Sequence, residues 1–213
     1  MNNNSPVVQV REKMIQHTMQ MLERNNMTPH YAPSIQDAQQ LIRQLLPQGA
    51  TVACGGSMSL KEAGIMEILR SGDYTFWDRE GVDSTQQDEI MRKAFFADYY
   101  LSSSNAVTEQ GELYNVDGNS NRVAALCFGP KHVICVVGYN KIVPTLEDAK
   151  ERVRAIAAPA NAIRLQHETP CAVTGHCENC HSPQRICCTT VIHQQQREPG
   201  RIHVIIVGEE LGY

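Results

Sequence analysis

The sequence predicts an α/β fold, an open and mostly parallel sheet with helices on both faces. Three observations predict it. Strand-length segments alternate with amphipathic helical ones along the chain. KHVICVVG at 131–138 and RIHVIIVG at 201–208 are apolar almost throughout, as strands covered on both faces must be. A length of 213 residues supports one substantial core, so a single domain is expected over 1–213 with a cysteine-rich excursion at about 166–196.

After a polar tip, Val7, Val10, Met14, Ile15, Thr18, Met19 and Leu22 recur mostly every three or four residues, which predicts a helix over 7–24 started near Ser5 and Pro6. A short extended piece follows at 28–31. Ser34 opens a helix carrying Ile35, Ala38, Leu41, Ile42, Leu45 and Leu46, and Pro47-Gln-Gly49 ends it. ATVACGG at 50–56 reads as a buried strand running into a glycine turn, and Ser59-x-x-Glu62 as a capping box for a helix through Leu69. YTFW at 74–77 and 99–103 are strand candidates around a helix at about 85–96. NAVTEQGELYNVDG at 105–118 predicts strand, turn, strand, and 121–128 a short helix stopped by Gly129-Pro130. The strand 131–138, a helix near 145–158, a helical piece at 160–165, the cysteine segment and the strand 201–208 complete the chain.

The 23 acidic residues outnumber 19 basic ones, for a net charge of -4, which argues against a nucleic-acid backbone as partner. No apolar run reaches membrane-spanning length, so no membrane span is expected. MNNNSPVVQVREKM lacks a basic segment followed by an apolar one and is not expected to be a secretory signal, which points to a cytoplasmic location. There, closely spaced thiols favour metal or redox chemistry over disulfides. A homodimer would be the commonest arrangement for such a chain.

Three stretches could carry chemistry. In CGGSMSL at 54–60, Gly55 and Gly56 end a strand ahead of a serine-capped helix; with Ser57 they make either a tight turn with an ordinary cap or a site for an anion. No Gly-Lys-Ser/Thr follows as in a P-loop, and the GxGxxG pattern is absent. TEQGELYNVDGNSNR at 108–122 crowds acids and amides around two glycines. It is either a surface turn pair or an active-site rim, with Glu109 as nucleophile or base and Asn121 and Arg122 holding an anionic group. Asn140 and Lys141 follow the strongest strand, where parallel sheets gather ligands.

The third stretch is PCAVTGHCENCHSPQRICC at 170–188, which holds five of the eight cysteines. Cys171, Cys177, Cys180 and Cys187 are spaced to surround an iron–sulfur cluster or, alternatively, a tetrahedral Zn²⁺; Cys188, adjacent to Cys187, would point elsewhere. A thiol–disulfide switch is the other reading. Cys54, Cys127 and Cys135 sit in apolar contexts and read as buried small residues, with Cys54 notable for abutting the glycine turn.

GGSMSLKEAGIMEIL, TEQGELYNVDGNSNRVAALCFGPKHVICVVGYNKIV, AAPANAIRL and GRIHVIIVGEELGY together resemble the LUD, or lactate-utilization, domain family over about residues 7–213. The likeness is to short members with a similar PC…TGxCxxC…RIC segment. It implies a fold similar to the ribose-phosphate isomerase, glucosamine-phosphate deaminase and CoA-transferase group, in which the region matching Gly55, Gly56 and Ser57 meets an anion. It also implies a glutamate nucleophile at Glu109 by likeness to the CoA-transferase motif. Better-known family members oxidise L-lactate with partner subunits carrying iron–sulfur clusters. The expected role is therefore a redox-associated component of organic-acid metabolism, with a small organic acid and a redox protein as partners. The alternatives are a transferase- or isomerase-like enzyme using Glu109 and a noncatalytic ligand-binding or assembly protein. No long ferredoxin-like extension is present, so this is not expected to be the complete cluster subunit. Ser120 stands where relatives commonly carry Gly in a GNGNR run, and Cys188 where Asn is common.

Overall fold

The computed structural model describes residues 5–213; the tip at 1–4, which began the stretch read against a secretory signal, lies outside them. The strands are β1 (Thr28–Ala32), β2 (Thr51–Cys54), β3 (Thr75–Phe76), β4 (Tyr99–Ser102), β5 (Ala106–Thr108), β6 (Leu113–Asp117), β7 (His132–Gly138), β8 (Ile142–Val143), β9 (Thr189–His193) and β10 (Ile202–Val207). The α-helices are α1 (Pro6–Arg24), α2 (Ile35–Leu45), α3 (Met58–Glu62), α4 (Ile65–Leu69), α5 (Ser84–Lys93), α6 (Asn121–Phe128), α7 (Leu146–Arg152), α8 (Ala158–Arg164) and α9 (Pro170–Thr174).

Six strands form one parallel sheet in the order β1-β10-β7-β4-β2-β3. The apolar runs predicted as buried strands, β7 and β10, lie side by side near its centre. Their side chains alternate between two cores. Val133, Cys135 and Val137 of β7 face the cluster built with Ile15 and Leu22 of α1 and Leu126 of α6. Ile134 and Val136 face the cluster built with Ile42 of α2, Leu60 of α3 and Ile65 of α4. Each fully buried aliphatic side chain of this kind contributes about 1.5–3 kcal/mol. The predicted α/β architecture, with both sheet faces covered, is the observed one.

Three local expectations change. The helix after the glycine turn is capped by Ser57, whose Oγ accepts from the Leu60 N–H, and not by Ser59, which is fully buried. That helix also breaks at Gly64, which adopts φ +65°, dividing α3 from α4. The helices expected near 145–158 and 160–165 are one continuous run, α7 and α8 joined by a π-helical turn at Val153–Ala157.

A second, four-stranded sheet, β8-β5-β6-β9, stands beside the first and mixes parallel and antiparallel pairs. Its small core joins Ala106 and Tyr114 to Ala149 and Val153 of the α7–π run. The strand β9 comes from the cysteine-rich excursion, pairing along β6 from Asp117–Thr189 to Leu113–His193. The excursion is thereby stitched into the domain through its C-terminal part. Among the described residues, no helix is long and apolar enough to cross a membrane.

Candidate functional site

Strands β2, β4 and β7 are neighbours or near neighbours, and their carboxyl ends release three polar turns at one edge of the parallel sheet: Gly55–Ser57, Ser103–Asn105 and Tyr139–Lys141. This is where an open parallel sheet offers ligands a crevice. An inner cavity of about 100 Å³ opens there, lined among others by Gly56, Ser57, Ser103, Ser104, Arg122 and Lys141. An adjoining outer cavity of about 420 Å³ shares Gly56, Asp117, Arg122, Asn161 and Arg164, and adds Arg79, His167 and Arg185.

Arg122 is the structural centre of the inner wall. Its guanidinium donates to the Ser103 carbonyl (3.1 Å), Asn115 Oδ1 (2.6 Å), Asn105 Oδ1 (3.1 Å) and the Val116 carbonyl (2.8 Å), and lies 3.4 Å from Asp117 Oδ1. Asp117 in turn accepts from the Val123 N–H (3.0 Å) in the first turn of α6. A Cβ on Gly55 would stand 3.0 Å from Arg122 Cδ and 3.1 Å from the Tyr100 hydroxyl, so the glycine leaves the space that the arginine stem occupies. Cys54 beside it is half-buried, and desolvation pushes its thiol up to about 12, which keeps it un-ionised at neutral pH.

Lys141 is 3 % exposed. Its Nζ donates to Ser59 Oγ (2.9 Å) and Ser103 Oγ (3.2 Å). Burial lowers its pKa to about 7, with Arg152 and Arg122 lowering it further and Glu62 opposing them. An uncompensated ammonium is costly in such a place, so the neutral amine is within reach at physiological pH.

The outer cavity is strongly cationic. Arg79, Arg122, Arg164, Arg185 and Lys141 line the two cavities, and Asp117 is the one acidic side chain among the linings. Among the described residues, the ion pairs include neither Arg79, Arg164 nor Arg185. Arg164 is held by Asn161 Oδ1 (2.7 Å) and the Tyr213 hydroxyl (2.7 Å), both neutral acceptors. Arg79 packs over Gly56, at the place a Cβ would take.

Of the residues singled out in sequence, Gly56, Ser57, Asn121, Arg122 and Lys141 line this pair of cavities, and Gly55 backs them. Asn140 serves differently: its side chain accepts from the Leu211 N–H (3.1 Å) and donates to the Gly212 carbonyl (3.1 Å), clasping the segment after β10. Glu109 lies on the β5–β6 turn, outside both linings. That turn is docked on α1: Asn25 Nδ2 donates to the carbonyls of Gln110 (2.9 Å) and Gly111 (3.0 Å). Gly111, at φ +76°, would carry a Cβ 2.6 Å from the Leu22 nitrogen. Sequence reasoning missed Arg79, Asn161, Arg164 and Arg185. It also missed the serine run after β4, where three consecutive hydroxyls at a strand end were the available signal.

The cysteine segment forms part of the same wall. Pro183, Gln184, Arg185 and Ile186 line the outer cavity, and the Cys188 N–H donates to the Asp117 carbonyl (2.9 Å). Arg185 donates to the carbonyls of Cys180 (2.6 Å) and Cys187 (3.0 Å). Burial raises the Cys187 pKa, Arg185 lowers it, and Cys177 and Cys180 are close enough to raise it again. Cys177 Sγ accepts from the Asn179 N–H (3.4 Å), while Cys171 Sγ pairs with Thr169 Oγ1 (3.3 Å). Among the described residues, no three His, Cys, Asp or Glu side chains are arranged to hold a metal ion. The donor types suit a soft metal, but the four thiols do not fit one as arranged. All eight cysteines are unpaired.

The LUD domain family model matches residues 15–207, which spans both sheets and every cavity-lining residue but Tyr213. The chain belongs to the LUD domain family. A DUF162 family protein from Deinococcus radiodurans, known from a crystal structure, is similar in fold: 15 % identity, a TM-score of 0.50, and coverage of 93 % of this chain and 98 % of that one. No curated protein matches the chain. Within this LUD domain, Ser120 takes φ +61°, a conformation glycine adopts more freely, and its Oγ pairs with Thr189 Oγ1 (2.6 Å), tying the start of α6 to β9.

Proposed function

We propose that this LUD protein binds a small anionic organic acid in the paired cavities and acts in organic-acid metabolism of the lactate type. One observation carries the reading: four arginines converge on the cavities against a single carboxylate side chain, in a chain whose net charge is -4. Such focusing serves to concentrate and hold an anion. Arginines supported by neutral acceptors keep their charge free for a carboxylate or phosphate oxygen, which the planar guanidinium meets with paired donors. Glu109 has no part in this role.

Thermal unfolding with L-lactate, pyruvate and oxalate tests it. At least one acid is expected to raise Tm in a saturable manner. Arg164→Ala is expected to weaken that acid roughly tenfold or more, the cost of about 1.5–3 kcal/mol for a lost charge-assisted hydrogen bond. No stabilisation by any of the three, or an Arg164→Ala protein that binds as well as the wild type, sinks the reading.

The redox half of the proposal is an iron–sulfur or zinc centre on Cys171, Cys177, Cys180 and Cys187, read by a redox protein partner. It requires Cys171 to leave Thr169 and the segment to close, so no chemistry is routed through it here. Anaerobic reconstitution followed by iron, sulfide and zinc analysis is expected to give stoichiometric metal, lost in a Cys177→Ser/Cys180→Ser protein. Metal-free protein after reconstitution removes this half and leaves the anion site standing.

A further inference from the structure

Lys141 is misplaced for an ordinary anion contact. The cavity already holds arginines, and Lys141 adds an amine at its inner end, 3 % exposed, with no carboxylate paired to it among the described residues. Its two partners define its hydrogens. Ser59 Oγ donates its own proton to the Leu211 carbonyl (3.3 Å), and Ser103 Oγ donates to the Ser104 carbonyl (3.3 Å). With their protons committed, both hydroxyls can only accept from Nζ. A neutral amine has two N–H donors, and these two acceptors use both. The lone pair is left over, on a residue that lines the inner cavity.

The surroundings suit a nucleophile. Arg152 is fixed by the carbonyls of Asn140 (3.2 Å) and Asn105 (2.7 Å), and Arg122 by the network described above, so neither can move away to let the ammonium form cheaply. A lysine desolvated beside other cations is the arrangement that activates an amine for attack on carbonyls. An anionic group held by Arg164 would bring an adjacent carbonyl carbon toward the inner end, with the cavity of about 100 Å³ admitting only a few heavy atoms.

We propose that Lys141 is a catalytic amine that forms an imine with a small compound carrying a carbonyl next to an anionic group, such as a 2-oxo acid; this rests on the anion-site reading above. Nζ attacks the carbonyl carbon, a C–N bond forms, and the C=O π electrons pass to oxygen. The nitrogen gives up its two protons in turn to that oxygen, directly or through water, and the C–O bond breaks. Imine and one water are the products, with no oxidant or reductant consumed. When the imine takes up a proton, its single N–H remains in reach of one of the two serine hydroxyls.

The full-length protein is incubated with pyruvate or with dihydroxyacetone phosphate, reduced with borohydride, digested and mapped by mass spectrometry. The two compounds separate a carboxylate-bearing from a phosphate-bearing substrate. A reduced secondary-amine adduct is expected at Lys141 with at least one of them, at more than tenfold the occupancy of any other lysine. Lys141→Arg should lack it, and L-lactate, which has no carbonyl, should give none. Absence of the adduct from the wild-type Lys141 peptide, or equal labelling across surface lysines, overturns the proposal even if the variant fails to fold. Oxalate, an anion without a ketone, is run in parallel as a thermal-shift ligand. Stabilisation by oxalate with no adduct discards the imine and keeps the anion site, whereas an adduct on Lys141 without any anion-dependent stabilisation overturns the anion-site reading and with it the substrate class proposed here.

Discussion

Replacing Arg122 by Ala is expected to destabilise the domain by about 3–5 kcal/mol, the cost typical of removing one partner from a buried charged network. That is a large fraction of the roughly 5–15 kcal/mol that holds an ordinary domain folded. The residue is 8 % exposed, and its guanidinium reaches groups from two places in the chain: the turn after β4 and strand β6, whose last residue is Asp117. It thereby joins the parallel sheet to the second sheet. Its loss leaves Asn115, already without a partner for Nδ2, with no partner for Oδ1 either, at a site fully shielded from water. Buried polar groups left in that state cost about 1–3 kcal/mol each. Arg122→Lys should recover little, because a point ammonium cannot replace a planar fork reaching several acceptors. Urea unfolding reads both variants. A midpoint shift worth less than about 1 kcal/mol for Arg122→Ala would mean that the network is solvated and not a structural joint.

The same residue illustrates what the sequence could and could not reveal. Arg122 was legible as a site residue because it follows a polar loop in the first turn of a helix, but its anchoring role depends on Asn105 and Asn115, which only the paired strands β5 and β6 bring near. The parallel sheet was legible because β7 and β10 are long enough, six or seven residues, for composition alone to mark them. The second sheet was not, since β8 has two residues and β9 lies in a polar stretch with exposed positions between half-buried ones. Arg79, Arg164 and Arg185 each looked like an ordinary surface charge. Their convergence is a property of distant chain segments, and no local pattern encodes it. Ser59 read as a helix cap by spacing, yet packing hides it and gives it to Lys141 while Ser57 takes the cap. Lys141 itself was legible by position at a strand end, but its burial, which turns a cation into a candidate amine, was not.

Lys141→Met should make the protein more stable, and the gain should depend on pH in one direction. Three charged groups bear on the amine: Arg152 from the end of α7, Arg122 from α6, and Glu62 from α3, the first two opposing the ammonium and the last favouring it. In the folded state the pKa lies at about 7, against an ordinary lysine value of 10.5. Below pH 7 the amine is charged in both states, and the wild type carries the full cost of burying that charge. As pH rises from 7 to 10.5 the unfolded chain still binds a proton that the folded one has lost, so wild-type stability climbs with pH. Above 10.5 the cost is gone. At about 1.4 kcal/mol per pH unit, the gap sets a ceiling on the order of 5 kcal/mol at low pH. Methionine gives up two hydrogen bonds to serine hydroxyls, worth about 1 kcal/mol each. The net gain should therefore be on the order of 2–3 kcal/mol at pH 6 and close to zero by pH 9. Urea unfolding of both proteins across that range measures it. A gain that is flat with pH would place the lysine's charge in contact with water, and a gain that grows toward alkaline pH would reverse the assignment of the folded amine as the more acidic one.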